Sequence, residues 1–312
     1  MTSLGRVGKI TFLLIVLFVS ARCHAVSENG PTLIYKTVEG QDLRLYAFYP
    51  WRKPDTISPA IVLFHGGGWK HGNAGKLFAQ CRYLASRGMV AFSVEYRTHD
   101  EFGTSPFAAV RDAKSAIRWV RAHARELRID PNRIAAGGGS AGGQMAAAAG
   151  TIDGEEERNE DLSVSSRPNA LVLFNPVIDN GPGGYGFKRL GNRYREISPL
   201  HNINKTHPPT IILTGDRDVF VTLTAVKHYK ELLKNVGVRC DLHIYPGQLH
   251  GFYRFRAREK NANYVKTMRE VDKFLRSLGY LRSAPNPSLA SWINFGSTSA
   301  GSQTDQLLPR HL

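Results

Sequence analysis

The stretch Arg133-Ile-Ala-Ala-Gly-Gly-Gly-Ser140-Ala-Gly-Gly-Gln-Met-Ala-Ala-Ala-Ala-Gly150 decides the fold. A short strand-like run, residues 134–136, meets a turn of glycine and alanine, and a helix-forming alanine run follows at once. Gly138-Gly-Ser-Ala-Gly142 fits the pattern G-x-S-x-G, in which a serine occupies a sharp turn between a strand and a helix. Small neighbours are needed because a serine in a strained backbone conformation leaves little room beside it. The stretch therefore predicts a strand–turn–helix unit that presents the Ser140 hydroxyl.

The same glycines also fit a second pattern. Gly137, Gly139 and Gly142 match G-x-G-x-x-G, the phosphate-binding loop of dinucleotide folds, which also follows a strand and opens a helix. That fold needs an acidic residue at the end of a second strand about twenty residues later, to bind the ribose. No such residue follows here. The choice between the two patterns depends on the other parts of the chain.

A glycine-rich loop follows the first buried strand. The apolar run 60–64 leads into His65-Gly-Gly-Gly-Trp69, and consecutive glycines let a backbone bend and approach a substrate closely. Loops of this HGGG type supply N–H groups to an oxyanion hole, together with the amide of the residue after the serine. The predicted oxyanion hole is therefore Gly66, Gly67 and Ala141. Taken alone, three glycines after a strand are as often an ordinary loop.

An acid and a base follow the serine in the order that this kind of site requires. The apolar run 209–214 ends near two aspartates, and the register favours Asp218 as the acid. Asp216 is then a turn residue that bonds its own backbone. His250 lies in a loop after the strand-like run 240–245, whereas His243 alternates along that run and is structural. The predicted catalytic residues are Ser140, Asp218 and His250.

With these motifs the chain resembles an α/β-hydrolase of the serine esterase type over residues 31 to 281. Two features set it apart from the hormone-sensitive-lipase-like group. Gly139 stands where that group usually has aspartate, and only about forty residues would separate a cleaved leader from His65, too few for a long helical cap. The chain is more similar to exported, cap-poor carbohydrate esterases such as acetyl xylan and feruloyl esterases. The resemblance implies serine-dependent hydrolysis of an ester.

The order of the predicted elements agrees with an α/β fold. Two opening strands, 33–38 and 43–49, precede an alternation of strands and helices, which is typical of a mostly parallel central sheet with helices on both faces. An α/β-hydrolase fold with no large N-terminal cap is the expected architecture. The predicted domains are a signal peptide over 1–25, a catalytic domain over 26–282 and a disordered tail over 283–312. The predicted helices are 77–87, 107–127 and 262–278.

The N-terminal segment indicates export. Arg6 and Lys9 precede the apolar run 10–19, which is short for a transmembrane helix but typical of a signal peptide, and Ala25 offers a cleavage point. A retained membrane anchor is the alternative. Cleavage would leave Cys81 and Cys240, which an oxidising compartment would allow to pair; two buried thiols are the alternative.

The chain is basic, with a formal net charge of +15 that falls to +12 once the leader's Arg6, Lys9 and Arg22 are removed. A basic surface attracts anions. Since no nucleic-acid-binding motif accompanies the charge and the basic residues are scattered, no nucleic-acid partner is expected. A solvated basic surface is favoured, and affinity for acidic polysaccharide is the alternative.

The predicted substrate is a small-molecule or carbohydrate ester, with no metal or organic cofactor and no stable insertion into a membrane. Trp69, Tyr185 and Phe187 are the predicted substrate-binding residues. The last two belong to a glycine-rich segment, 180–191, that is either a lid or an ordinary loop. An acidic run, 153–161, predicts a solvated loop. Two alternatives remain open. The chain could hydrolyse an arylformamide, a lactone or a peptide, or it could be a binding protein with this fold that has lost catalysis.

Overall fold

The computed structural model describes residues 31–50, 57–257 and 259–282, which contain one eight-stranded sheet. Its strand order is β1-β2-β4-β3-β5-β6-β7-β8. β2 runs antiparallel to β1 and β4, and every other neighbouring pair is parallel, so the predicted mostly parallel sheet is confirmed. The predicted leader, 1–25, and tail, 283–312, lie outside the described residues. The strands are β1 (Thr32–Val38), β2 (Gln41–Phe48), β3 (Ser58–Phe64), β4 (Val90–Val94), β5 (Ile129–Gly139), β6 (Ala170–Phe174), β7 (Thr210–Gly215) and β8 (Cys240–Tyr245).

Helices cover both faces of the sheet, as predicted. Along β3, Val62 and Phe64 pack on the face that carries α3, α4 and α6, whereas Ile61 and Leu63 pack on the face that carries α1 and α7. This alternation follows from the two-residue repeat of a strand. Within residues 31–50, 57–257 and 259–282, no helix combines the length and apolar character needed to cross a membrane. The helices are α1 (Phe78–Ser86), α2 (His99–Phe102), α3 (Pro106–Ala122), α4 (Ala141–Thr151), α5 (Phe187–Leu190), α6 (Leu223–Asn235) and α7 (Ala262–Ser277).

Two predicted helices have different ends in the structure. The helix expected over 77–87 begins as a 3-10 turn, Ala74–Leu77, before α1 starts. The helix expected over 107–127 ends at Ala122, and Arg128 then adopts a φ of 55°, which turns the chain into β5. Apolar periodicity alone overestimated this helix because the turn residues after it also bury apolar side chains.

The acidic run is not the solvated loop that was predicted. Its glutamates form ion pairs with basic residues of α3, so the run packs as a strap along that helix. Glu156 Oε1 lies 2.7 Å from Lys114 Nζ, and Glu156 Oε2 lies 2.5 Å from Arg118 Nη2. The Lys114 side chain is only 1% exposed, and a buried ammonium requires such partners. Further pairs join Glu155 to Arg111, Glu157 to Lys36 and Arg97, and Glu160 to Arg118.

The two cysteines in the described part of the chain are free thiols. Cys81 is a buried residue of α1, and Cys240 is half-buried at the start of β8. Burial raises the pKa of both thiols, to about 12 for Cys240, so each is held in its protonated form at neutral pH. The pairing that the sequence left open does not form in this structure.

The register of the parallel strands brings their carboxyl ends to one edge. Phe64 at the end of β3 pairs with Gly138, Gly139 at the end of β5 pairs with Phe174, and Gly215 pairs with Tyr245. Ligands of open α/β sheets bind at this edge. The loops that carry the predicted site residues all start from it.

Candidate active site

Ser140 occupies a sharp turn between β5 and α4. Its φ of 59° and ψ of −121° lie in a region that side-chain-bearing residues rarely adopt. Neighbouring segments fix this strained residue. The Ser140 amide donates to the Phe174 carbonyl at 2.9 Å, and the Ser140 carbonyl accepts from the amides of Gln144 and Val177, each at 3.1 Å.

The packing around Gly139 explains why no aspartate precedes the serine. A Cβ added to Gly139 would lie 1.6 Å from the hydroxyl oxygen of Tyr253. Tyr253 is buried and stacks on Phe174 with ring centroids 4.8 Å apart, so it cannot easily move aside. The phenol therefore fills the space that a side chain at position 139 would need. Tyr253 follows His250 by three residues, so it also joins the histidine loop to the serine turn.

The glycine-rich loop packs directly against the serine turn. A Cβ on Gly66 would lie 2.8 Å from the Gly139 carbonyl oxygen and 3.1 Å from the Ser140 Cβ, and a Cβ on Gly67 would lie 1.6 Å from the His71 carbonyl oxygen. Only glycine allows this approach. In the part of the chain that the structure describes, the amides of Gly66, Gly67 and Ala141 donate to no protein acceptor.

His65, the first residue of the glycine-rich loop, is fixed by contacts with Tyr96. Its ring stacks on Tyr96 with centroids 4.2 Å apart, and the Tyr96 hydroxyl donates to the His65 carbonyl at 2.9 Å. Burial, together with the nearby charges of Lys76 and His71, lowers the pKa of His65 to about 4, against a raising contribution from the hydrogen bond to the Gly66 carbonyl. The imidazole is therefore neutral at pH 7, and its Nδ1–H donates to the Gly66 carbonyl at 3.1 Å.

Trp69 lies beneath the loop rather than on its open side, with only 1% of its surface exposed. Its indole N–H donates to Gln144 Oε1 at 3.0 Å, and Gln144 Nε2 donates to the Ile197 carbonyl at 2.6 Å. Gln144 therefore ties the loop to α4 and to the segment after α5. This glutamine was not among the predicted site residues, although its place one turn into α4, among alanines, is a signal that it has a specific partner.

The structure brings the three predicted catalytic side chains together. His250 Nε2 lies 2.9 Å from Ser140 Oγ, and His250 Nδ1 lies 2.6 Å from Asp218 Oδ2. Both distances are those of hydrogen bonds. The imidazole side chain is 16% exposed, so it is sheltered but reachable from outside.

The Asp218 carboxylate has no exposed side-chain surface. Burial alone would raise its pKa, but hydrogen bonds from His250 and from the amides of Phe220 and Val221 outweigh burial and hold the pKa below its usual value. Asn175 Nδ2 donates to the same Oδ2 at 2.6 Å. Asn175 was not predicted as a site residue, yet a polar residue immediately after β6 falls at the edge where the other site residues meet.

Asp216 has a different role. Its Oδ1 accepts from the Gly247 amide at 2.7 Å, so it closes the turn after β8 instead of bonding its own backbone as predicted. Asp216 is exposed, and the carboxylate hydrogen-bonded to His250 is that of Asp218. Of the two competing aspartates, Asp218 alone hydrogen-bonds to the histidine.

A row of aromatic rings borders the histidine. Phe220 lies 5.1 Å from the His250 ring, Tyr185 lies 6.1 Å from Phe220, and Trp69 lies 5.7 Å from Tyr185, measured between centroids. Of the predicted substrate-binding residues, Tyr185 therefore belongs to this row. Trp69 contacts Tyr185 but is itself buried. Phe187 packs instead on Tyr194 at 5.7 Å.

Two family models together match most of the described chain. The model described as BD-FAE matches residues 47–183, which include the glycine-rich loop and Ser140. The model of the dienelactone hydrolase family matches residues 174–281, which include Asp218 and His250. The two matches meet near the end of β6.

Solved structures and curated proteins agree with these matches. Esterase 2 of Thermogutta terrifontis bound to propionate is 39% identical, with a TM-score of 0.77 over 83% of this chain and 97% of that one. The same esterase phosphorylated by paraoxon is 40% identical, with a TM-score of 0.78 over 82% and 97%. An acetylxylan esterase of Xylanibacter ruminicola is 29% identical over 73% of this chain and 46% of its own length. Esterase LipC of Mycobacterium tuberculosis is 26% identical over 65% and 56%, so this chain spans about half the length of these curated relatives.

Replacing Asp218 by Asn should damage turnover far more than replacing Asp216 by Asn. An amide at position 218 presents an N–H to His250 Nδ1 and favours the wrong tautomer, which in a comparable triad lowers kcat about ten-thousandfold. An amide at position 216 keeps an oxygen that accepts from the Gly247 amide. Hydrolysis of p-nitrophenyl acetate by both purified variants measures the difference. Equal losses, or a greater loss for Asp216→Asn, would show that the wrong aspartate is assigned.

Gly139→Ala should destabilise the protein by about 1–3 kcal/mol because its Cβ displaces Tyr253. The cost should shrink when Tyr253 is also changed to Ala, since the clash is then removed. Gly75→Ala is a matched control, because its Cβ would meet only the Asn73 side-chain oxygen, at 3.0 Å. Urea unfolding of the single and double variants measures these free energies. A cost that is the same with and without the Tyr253 ring would contradict this explanation of Gly139.

Proposed function

The chain belongs to the α/β-hydrolase serine esterases, and on this premise we propose that it hydrolyses short-chain carboxylic esters with Ser140, His250 and Asp218 as a catalytic triad. The observation that carries the proposal is the continuous hydrogen-bonded series from Asp218 through His250 to Ser140 Oγ, beside a loop whose amides donate to no protein acceptor among the described residues. Such a series is the arrangement that activates a serine hydroxyl.

In the first half of the reaction, Ser140 Oγ attacks the ester carbonyl carbon while His250 Nε2 takes the hydroxyl proton. The carbonyl oxygen becomes an oxyanion that the amides of Gly66, Gly67 and Ala141 stabilise, each such donor being worth about 3 kcal/mol in comparable enzymes. When the tetrahedral intermediate collapses, the bond to the alcohol oxygen breaks and His250 returns the proton to the leaving alcohol. The acyl group remains on Ser140.

In the second half, His250 takes a proton from water, and the hydroxide formed attacks the acyl carbon. Collapse of the second intermediate releases the carboxylic acid and returns the proton to Ser140 Oγ. Asp218 stays ionised throughout, because its lowered pKa keeps the negative charge that stabilises the imidazolium.

We propose that the acyl group is small and that the alcohol part belongs to a carbohydrate. Supporting this, the described residues ahead of His65 form only β1, β2 and β3, so none of them covers the site. The structural relatives were solved with propionate and with butyrate, and one curated relative is an acetylxylan esterase. Val219, Phe220 and Leu249 are exposed apolar side chains beside the triad and offer a surface for a sugar ring or a short acyl chain.

The proposal predicts that Ser140→Ala abolishes hydrolysis of p-nitrophenyl acetate and stoichiometric labelling by paraoxon, because both reactions need an activated serine oxygen. The variant should fold, since an alanine methyl fits where the serine side chain stood, and its thermal unfolding midpoint serves as the control. Retained turnover in a folded Ser140→Ala protein would refute the triad.

The same pair of proteins tests the substrate class. The wild-type protein should favour acetyl to butyryl esters over longer p-nitrophenyl esters and release acetate from acetylated xylan, whereas Ser140→Ala should release none. Turnover of the p-nitrophenyl esters without release of acetate from xylan would agree with the proposed esterase activity but contradict the proposed carbohydrate substrate.

We also propose that the protein is exported and that residues 1–25 are removed. The basic residues, the apolar run 10–19 and Ala25 support a cleaved leader. N-terminal sequencing of the protein secreted by an expression host should then give Val26 as the first residue. An intact leader in the cell fraction alone would contradict export.

A further inference from the structure

Arg189 is held against the loop that forms the predicted oxyanion hole. Its Nη1 donates to the Gly68 carbonyl at 2.6 Å. Its guanidinium carbon lies 5.1 Å from the ring centroid of Trp69 and 5.7 Å from that of Tyr185. Arginine stacks on aromatic faces through its flat cation, so these contacts fix the plane of the group.

One edge of this guanidinium is available. Among the described residues, no carboxylate forms an ion pair with Arg189, and its Nε and Nη2 have no hydrogen-bond acceptor. The residue is exposed. Arg193, four positions further along, is different because it pairs with Glu196 at 2.5 Å and with Glu155 at 3.8 Å. The Nε–Nη2 edge of an arginine matches the two oxygens of a carboxylate.

A row of aromatic rings connects Arg189 to the triad. Tyr185, on which Arg189 stacks, continues through Phe220 to the His250 ring. The Tyr185 hydroxyl also lies close to Gly68, since a Cβ added there would be 2.6 Å from its oxygen. Arg189 thus stands at the rim on the side of the glycine-rich loop, where the part of an ester that does not react would extend.

The local charge favours an anion. The segment 187–196 carries Lys188, Arg189, Arg193 and Arg195 against one acidic residue, Glu196. Glu196 is already paired with Arg193, and the Arg195 guanidinium lies over the Tyr194 ring at 5.4 Å. A positive field beside a sheltered site raises the local concentration of negatively charged substrates.

We propose that Arg189 determines specificity by binding a carboxylate carried on the non-reacting part of the ester. Half-esters of dicarboxylic acids and acyl esters of acidic sugars belong to this class. The inference rests on the proposed function, because it takes Ser140 as the residue that attacks the ester. Arg189 takes no part in bond making and acts only by holding the substrate.

Mono-p-nitrophenyl succinate and p-nitrophenyl butyrate are the matched substrates, because they share a four-carbon acyl chain and differ in a terminal carboxylate or methyl. The ratio of their kcat/KM values should fall about tenfold in Arg189→Gln, as expected for loss of a charge-assisted hydrogen bond. The loss should appear mainly in KM for the succinate ester. Lys188→Gln removes the same charge from an exposed neighbour and should leave the ratio unchanged.

Binding of the succinate ester to Ser140→Ala, measured by calorimetry, gives a readout that needs no turnover. Adding Arg189→Gln to Ser140→Ala should weaken that binding about tenfold. Unchanged binding, equal losses for the succinate and butyrate esters, or an equal effect of Lys188→Gln would overturn the proposal. A wild-type protein that hydrolyses neither ester and is not labelled by paraoxon contradicts the proposed function instead, and the binding comparison then decides the role of Arg189 by itself.

Discussion

The close approach of backbone around Ser140 is the constraint on which the rest of this structure depends. Cβ atoms added to Gly138 and Gly142 would lie 2.3 Å and 2.0 Å from the Phe64 carbonyl oxygen, so β3, β5 and α4 meet with no room for side chains. At this packing density, a displacement of one backbone segment moves its neighbours, because protein interiors have few voids. The serine turn and the glycine-rich loop are therefore one unit, whose parts come from two neighbouring strands.

Burial of the Asp218 charge is the second requirement of the site. A carboxylate without exposed surface is costly unless several donors surround it. Here His250, Asn175 and two backbone amides supply those donors. Each donor stabilises the ionised form, and that form holds the imidazole with Nε2 turned toward Ser140 Oγ. Stability of the charge and orientation of the base thus come from the same hydrogen bonds.

Features that depend on strand order and local backbone could be predicted from the sequence. Ser140, Asp218 and His250 each follow a recognisable strand, and the carboxyl ends of parallel strands share one edge of a sheet. Three further residues, Asn175, Gln144 and Tyr253, were missed because their roles depend on partners far away in the chain. Phe187 is close to Tyr185 in sequence, yet the short helix α5 turns its ring toward Tyr194. No local sequence pattern encodes the direction in which such a side chain points.

The acidic run, 153–161, shows why the net charge of a basic protein does not indicate where its substrate binds. Its glutamates pair with Arg111, Lys114 and Arg118 of α3 and with Lys36 and Arg97 outside that helix, and so neutralise the positive charge of these residues. The formal charge of +15 is consequently not spread evenly over the surface. Among the described residues, Arg189 has no carboxylate opposite it and stacks on Tyr185, whose row of rings reaches His250. On the proposed function, this cation would select among esters by the charge they carry.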